Sequence, residues 1–382
     1  MTYLLISTLI AFYLGKLKHN KLAIDSDVSL KSSANSCGLL FVLNAAITHL
    51  AVFLGTSNEY IAIATSIITA VTAYFIITPH SNIRKINEQI IYRFLLICSI
   101  ISVFITIAIV LSILFESFRF FEEINIIDYL FGTHWSPQNY NPDFVEEGSN
   151  KVFGIIPVLG GTLLITGVAM LVAVPIGIFA AIYLSEYIGK KYRKFVKPAI
   201  EVLGGVPTVV YGYFAALIVA PFLKNHFGAD PESAIAAGVV MGIMIIPYIM
   251  SLSDDVINAV PQALRDASYG IGATKSETVK NVVVPAALPG ITASVLLAIS
   301  RAIGETMIVV MAAGLVANLT INPLESVTTI TTQIVTLLTG DQEFDSAKTL
   351  SAFALGLSLF LLTLMLNYFA LRVVKKYSEK YE

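Results

Sequence analysis

Charge is scarce in this chain of 382 residues: Asp, Glu, Lys and Arg together make up 13% of it, against about 25% in a typical soluble domain. So little charge over so long a chain argues against a soluble globular protein. Cysteine is nearly absent as well. Cys37 and Cys98 both lie in apolar segments, which excludes a disulfide framework and fits inert packing. The five histidines form no pair at ligand spacing, so no metal site is expected, and no basic stretch reads as a nucleic-acid patch. A phosphate-cradling G-x-x-x-x-G-K-[ST] loop is also missing. "GIGATKSE" has the Lys-Ser pair, but Ala273-Thr274 stand before the lysine where glycine is required, and no strand leads into it. The chain is therefore not expected to hydrolyse ATP, and no cofactor is expected.

Apolar residues, by contrast, make up 56% of the chain. They gather in runs that approach or exceed the roughly 20 residues needed to cross a bilayer as a helix. The runs are continuous rather than alternating, which argues against a β-barrel. The pattern predicts an all-α, polytopic membrane protein. Spans are expected at about 2–15, 37–55, 60–78, 92–115, 154–185, 198–222, 234–253, 289–316 and 350–372. The first run has no basic residue ahead of it and lysines after it. This is the reverse of a cleaved leader and fits a marginal span with its N-terminus outside.

Lys and Arg set the orientation. Segments 16–36, 79–93, 186–197, 254–284 and 372–382 hold 19 of the 24 basic residues, and the intervening loops hold four. The bias places these five segments, and the C-terminus, in the cytoplasm. Two parts are expected: an N-terminal extension over residues 1–90 and a six-span core over 91–382. The outer loop 116–153 is acidic and carries the only tryptophan. "FFEEINIIDYLF" is expected to lie as a helix at the membrane surface, with Tyr129 and Trp135 at headgroup level.

The richest loop is "VPQALRDASYGIGATKSETVKNVVVPAALPG". Pro261 suits the first position of a short helix over 261–269, and Gly270 and Gly272 suit the turn after it. Thr274 with Glu277 reads as a capping box that opens a second helix, which Pro285 is expected to stop. Two short helices on a glycine hinge suit docking into a groove on a partner. The spacing resembles the "EAA" loop of ABC importer permeases: E-A-A, three residues, G, nine residues, I-x-L-P. Here it reads Asp266-Ala267-Ser268, three residues, Gly272, nine residues, Val282-Val283-Val284-Pro285. The departures are Asp for Glu, Ser for the second Ala, and Val for Ile and Leu.

"FGTHWSP", "LGGVPTVVYGYFA" and "LLAISRAIGETMIVVMAAG" extend the likeness over about residues 91–372. They narrow it to the C-type permeases of phosphate importers. The resemblance implies a type I ABC importer permease core of six transmembrane helices in a bacterial inner membrane. It implies three protein partners: a second permease of the A type, a dimeric ATP-binding subunit and a periplasmic phosphate-binding protein. Membrane lipid surrounds the assembly. It also implies that Asp266, Ala267, Gly270, Gly272 and Pro285 belong to the coupling loop seated in the ATPase. The first 90 residues match less well.

Within the eighth run stand two full charges, Arg301 and Glu305. At four residues apart on a helix they would share one face. A charge at mid-membrane costs about 2.5–3.5 kcal/mol on insertion scales and normally faces the bundle interior or a wet cavity. Either the pair fixes packing, or Arg301 meets the transported anion while Glu305 holds it between passages; the resemblance supports both positions as transport residues. Gly204, Gly205, Pro207 and Thr208 are candidates to line the path through a break in the sixth span, and close packing explains the glycines there, with Gly212, equally well. Glu186 and Glu201 are expected to be solvated or salt-bridged, and Asp254 and Asp255 to meet water. A permease for sulfate or molybdate, and a proton-coupled carrier, remain as alternatives.

Overall fold

The structure, a computed structural model, describes residues 83–140, 152–339 and 346–378. The spans expected at 2–15, 37–55 and 60–78 lie outside the described residues. The chain falls into two compact units, Met1–Ala108 and Ile109–Glu382. Among the described residues every regular element is a helix, apart from a single antiparallel bridge between Trp135 and Phe153.

Among the described residues six helices are long and apolar enough to cross a membrane: α1 Ile91–Glu123 (the helix itself begins at Ile83), α3 Ile156–Tyr187, α5 Thr208–Phe227, α6 Ala234–Ala259, α8 Lys275–Ile303 and α11 Ala347–Arg372, which continues to Ser378. Between them lie α2 Ile126–Phe131, α4 Lys190–Gly204, α7 Gln262–Gly270, α9 Met307–Ala312 and α10 Ile330–Leu338. The run expected as one span over 198–222 is two elements. α4 ends at Gly204, and α5 starts after Pro207, whose ring removes a donor just where the helix restarts.

α6 is the most enclosed of the six spans. Helices in lipid gain little from burying apolar surface, so they associate by close packing, which small residues permit. A methyl on Gly242 would stand 2.8 Å from the Ala169 carbonyl oxygen of α3, and one on Gly238 2.7 Å from the Val168 Cβ. Gly242→Val is therefore expected to force α3 and α6 apart, at about the 1–3 kcal/mol of an overpacked core. A lower melting temperature of the purified protein in detergent would register it.

The irregular stretch between α9 and α10 is tied down by side chains. Ile330 N–H donates to Thr162 Oγ1 (3.1 Å), and Gln333 Nε2 donates to the Leu315 carbonyl (2.7 Å). Non-helical backbone at membrane depth needs such partners. At this end of the bundle Trp135 and Tyr129 are both buried among protein groups. Trp135 Nε1–H donates to Gln333 Oε1 (3.0 Å), the Tyr129 hydroxyl pairs with Ser358 Oγ (2.9 Å), and Phe120 and Phe153 pack edge-on between them. Each ring's polar atom thus has a protein partner inside, as a buried Trp or Tyr requires.

Candidate functional site

The two-helix loop forms much as its residues dictate. α7 begins one residue later than expected, with Pro261 capping rather than opening it. Gly270 is its last residue, and Gly272 takes φ +90°, which a side chain would resist. The capping box is complete: Thr274 N–H donates to Glu277 Oε2 (2.8 Å), and Glu277 N–H donates to Thr274 Oγ1 (3.4 Å). The serine standing in place of the second alanine has a use. The buried Ser268 hydroxyl pairs with Thr278 Oγ1 (2.9 Å), joining α7 to the start of α8.

Pro285 does not stop the second helix. The chain passes through a wide π-turn at Val279–Val283, where the Val284 N–H reaches back five residues to the Val279 carbonyl, and then runs on to Ile303. A wide turn just before a proline relieves the clash that would break a tighter helix. The loop is therefore continuous with a span. Asp266 is exposed and accepts from Gln262 Nε2 (3.0 Å). Ala263, Leu264, Ala267 and Ile271 are exposed too, Ile271 by 87%. They give the loop an apolar outer surface.

The base of this loop is held by ions. Glu186, at the end of α3, meets the buried Arg265 at 2.7 Å. Asp254 is fully buried and takes Arg193 Nη2 at 2.7 Å and Lys197 Nζ at 2.9 Å, both from α4. Asp254 was expected to meet water; only its neighbour Asp255 is well exposed. The reason lies in α4, which folds its basic face back onto the end of α6. Burial lowers the Lys197 pKa, but hydrogen bonds to Asp254 and Asp255 more than offset this and leave it above the usual lysine value.

Arg301 and Glu305 do not share a helical face. α8 ends at Ile303, Gly304 caps it, and α9 begins only at Met307. Glu305 thus lies in a break, where its carbonyl oxygen accepts from Thr331 Oγ1 (2.8 Å). No ion pair joins the two charges among the described residues. The exposed Arg301 guanidinium instead stands 5.5 Å over the Tyr248 ring of α6, a cation–π arrangement. The other break reaches the same turn of α6. A methyl on Gly204 would lie 3.7 Å from Pro247. Gly205 and Pro207 are exposed there, and Thr208 is half-buried. Gly212 is a packing residue, pressed against Met311 and the Met307 carbonyl. Tyr248 was missed from sequence, since a tyrosine in an apolar run gives no signal of what it faces.

Residues 173–379 match the family described as binding-protein-dependent transport system inner membrane component, and the chain belongs to that family. Among its relatives, a probable ABC transporter permease protein, YqgH, of Bacillus subtilis is 31% identical over 72% of this chain and 88% of its own length. The phosphate transport system permease protein PstC of Pasteurella multocida is 31% identical over 73% and 91%, and that of Haemophilus influenzae 33% identical over 62% and 77%. The fold is that of an ABC importer permease. A chain of a bacterial alginate ABC transporter, in complex with alginate pentasaccharide-bound periplasmic protein, superposes with TM-score 0.51 at 17% identity over 76% of this chain and 97% of its own.

Proposed function

We propose that this chain is the permease subunit of an ATP-driven importer of inorganic phosphate, comparable to PstC. It moves the ion inward without covalent chemistry of its own. The observation that carries the reading is the loop over residues 261–285. Its apolar outer surface suits a groove in an ATPase, and it runs without interruption into the helix that ends beside Arg301. The names of the relatives supply the anion. On this reading a second permease completes the path, an ATPase dimer sits beneath the loop, and a soluble protein delivers phosphate. The loop side and the C-terminus are cytoplasmic, as the lysine pattern indicates. Residues 1–90 form a membrane extension to a core beginning near residue 91. Gly204, Gly205, Pro207 and Thr208 border the path, and Arg301 meets the anion.

Uptake of radiolabelled phosphate by cells that depend on this chain tests the reading. Uptake is expected to stop on ATP depletion, to survive a protonophore while ATP is maintained, and to resist excess sulfate or molybdate. Competition by either oxyanion at equal concentration would replace phosphate as the substrate; survival without ATP would replace the motor. Docking has its own test. Gly272→Val forces φ +90° on a β-branched residue, a strain of about 1–3 kcal/mol. It is expected to reduce several-fold the ATPase that co-purifies with the permease.

A further inference from the structure

The Arg265–Glu186 pair stands apart from the residues that the loop pattern singles out, and its geometry is specific. Arg265 lies on α7 with its side chain 9% exposed, and the Glu186 side chain is 8% exposed. The guanidinium donates through Nε (3.1 Å) and Nη2 (2.7 Å) to one oxygen, Glu186 Oε1, at the end of α3. It also donates through Nη1 to the Val260 carbonyl (2.5 Å) and through Nη2 to the Ile257 carbonyl (2.9 Å), at the end of α6. One side chain thus joins three elements. The carbonyl end of a helix favours a cation, and the fork offers several donors in one plane.

A buried ion pair contributes little net stability, because desolvation offsets the attraction, but removing one member leaves a costly unpaired charge. Such a pair resists sliding more than it holds the fold. α7 cannot shift against α3 without separating these charges, or against the end of α6 without breaking the bonds to its carbonyls. α6 in turn carries Tyr248, over which Arg301 stands. We infer that the Arg265–Glu186 pair is a positioning clamp: it makes the coupling loop and the ends of α3 and α6 move as one body, so that motion received at α7 reaches the Tyr248 turn of α6, over which Arg301 stands. This rests on the reading of the loop as the ATPase contact.

The test uses the whole complex of both permeases and the ATPase, reconstituted in vesicles with the binding protein. Glu186→Gln keeps the volume and an acceptor oxygen but removes the charge. With the complex assembled in normal subunit ratio, phosphate moved per ATP hydrolysed is expected to fall about tenfold, and stimulation of hydrolysis by the binding protein to be lost. Basal hydrolysis should stay within about twofold. Glu186→Asp, which keeps the charge one methylene short, should recover much of the ratio and also serves if the glutamine variant fails to assemble. An unchanged ratio, or uptake and hydrolysis falling together, would overturn the clamp. Failure of the phosphate reading shows separately, as a wild-type complex that takes up no phosphate. Stimulation by the binding protein still judges the clamp in that case.

Discussion

Arg301→Lys is expected to lower phosphate uptake about 10- to 100-fold in a complex that still assembles. Lysine keeps the charge, so simple attraction of an anion survives. What it loses is the planar fork that meets two oxygens of a tetrahedral anion at once. A hydrogen bond to a charged group contributes about 1.5–3 kcal/mol, which corresponds to that range. Arg301 is placed for the role: it is exposed, has no carboxylate partner among the described residues, and is steadied by the Tyr248 ring at 5.5 Å. Tyr248→Leu should therefore cost uptake too, by a smaller factor, since an exposed cation–π contact contributes roughly 0.5–1 kcal/mol. Uptake at the wild-type rate in Arg301→Lys would assign Arg301 to packing instead. Reduced assembly with normal uptake per assembled complex would do the same.

Much of the bundle was readable because its causes are local. Apolar runs long enough to span gave four of the six long described helices nearly in place, and Thr274 with Glu277 gave the capping box. The other two are displaced: the run over 198–222 is divided into α4 and α5 at Gly204 to Pro207, where a break was one of two readings, and the run over 289–316 starts earlier, at Lys275, and stops at Ile303. The site was less legible because its geometry is set by distant partners. Nothing in "RAIGETM" requires a stop after Ile303. In the break the Glu305 carbonyl is satisfied by the hydroxyl of Thr331, 26 residues further on at the start of α10. Pro285 misled in the opposite direction, since the π-turn that accommodates it has no sequence mark. Arg265 precedes the Asp266-Ala267-Ser268 motif and could be picked out as a neighbour. Its acceptor on Glu186, 79 residues earlier, could not.

Asp254→Ala is expected to be among the most destabilising single changes near the loop, lowering the melting temperature of the detergent-solubilised protein by several degrees. The carboxylate is fully buried and answers two cations as well as Asn258, whose Nδ2 lies 3.0 Å from Asp254 Oδ1. Breaking a buried pair costs about 3–5 kcal/mol when the survivor is also buried. Here the survivors, Arg193 and Lys197, are 30% and 22% exposed and regain some water, so about 2–3 kcal/mol is the expected cost by that standard. Asp255→Asn is the control: its side chain is 66% exposed, and surface pairs contribute about 0–1 kcal/mol. Lys197 fixes the pH dependence. Its folded pKa lies above the ordinary value, so its share of the stability is complete below that value and is lost only as pH rises through the folded pKa. Between pH 6 and pH 9, on the order of the range below the ordinary lysine pKa, the difference between wild type and Asp254→Ala should therefore not shrink. A difference that vanished within that window would mean that Lys197 is not the partner that matters. α4 leads directly into the Gly204–Pro207 break, so loss of Asp254 should also free that break from the end of α6. Phosphate uptake should then fall further than the loss of folded protein accounts for.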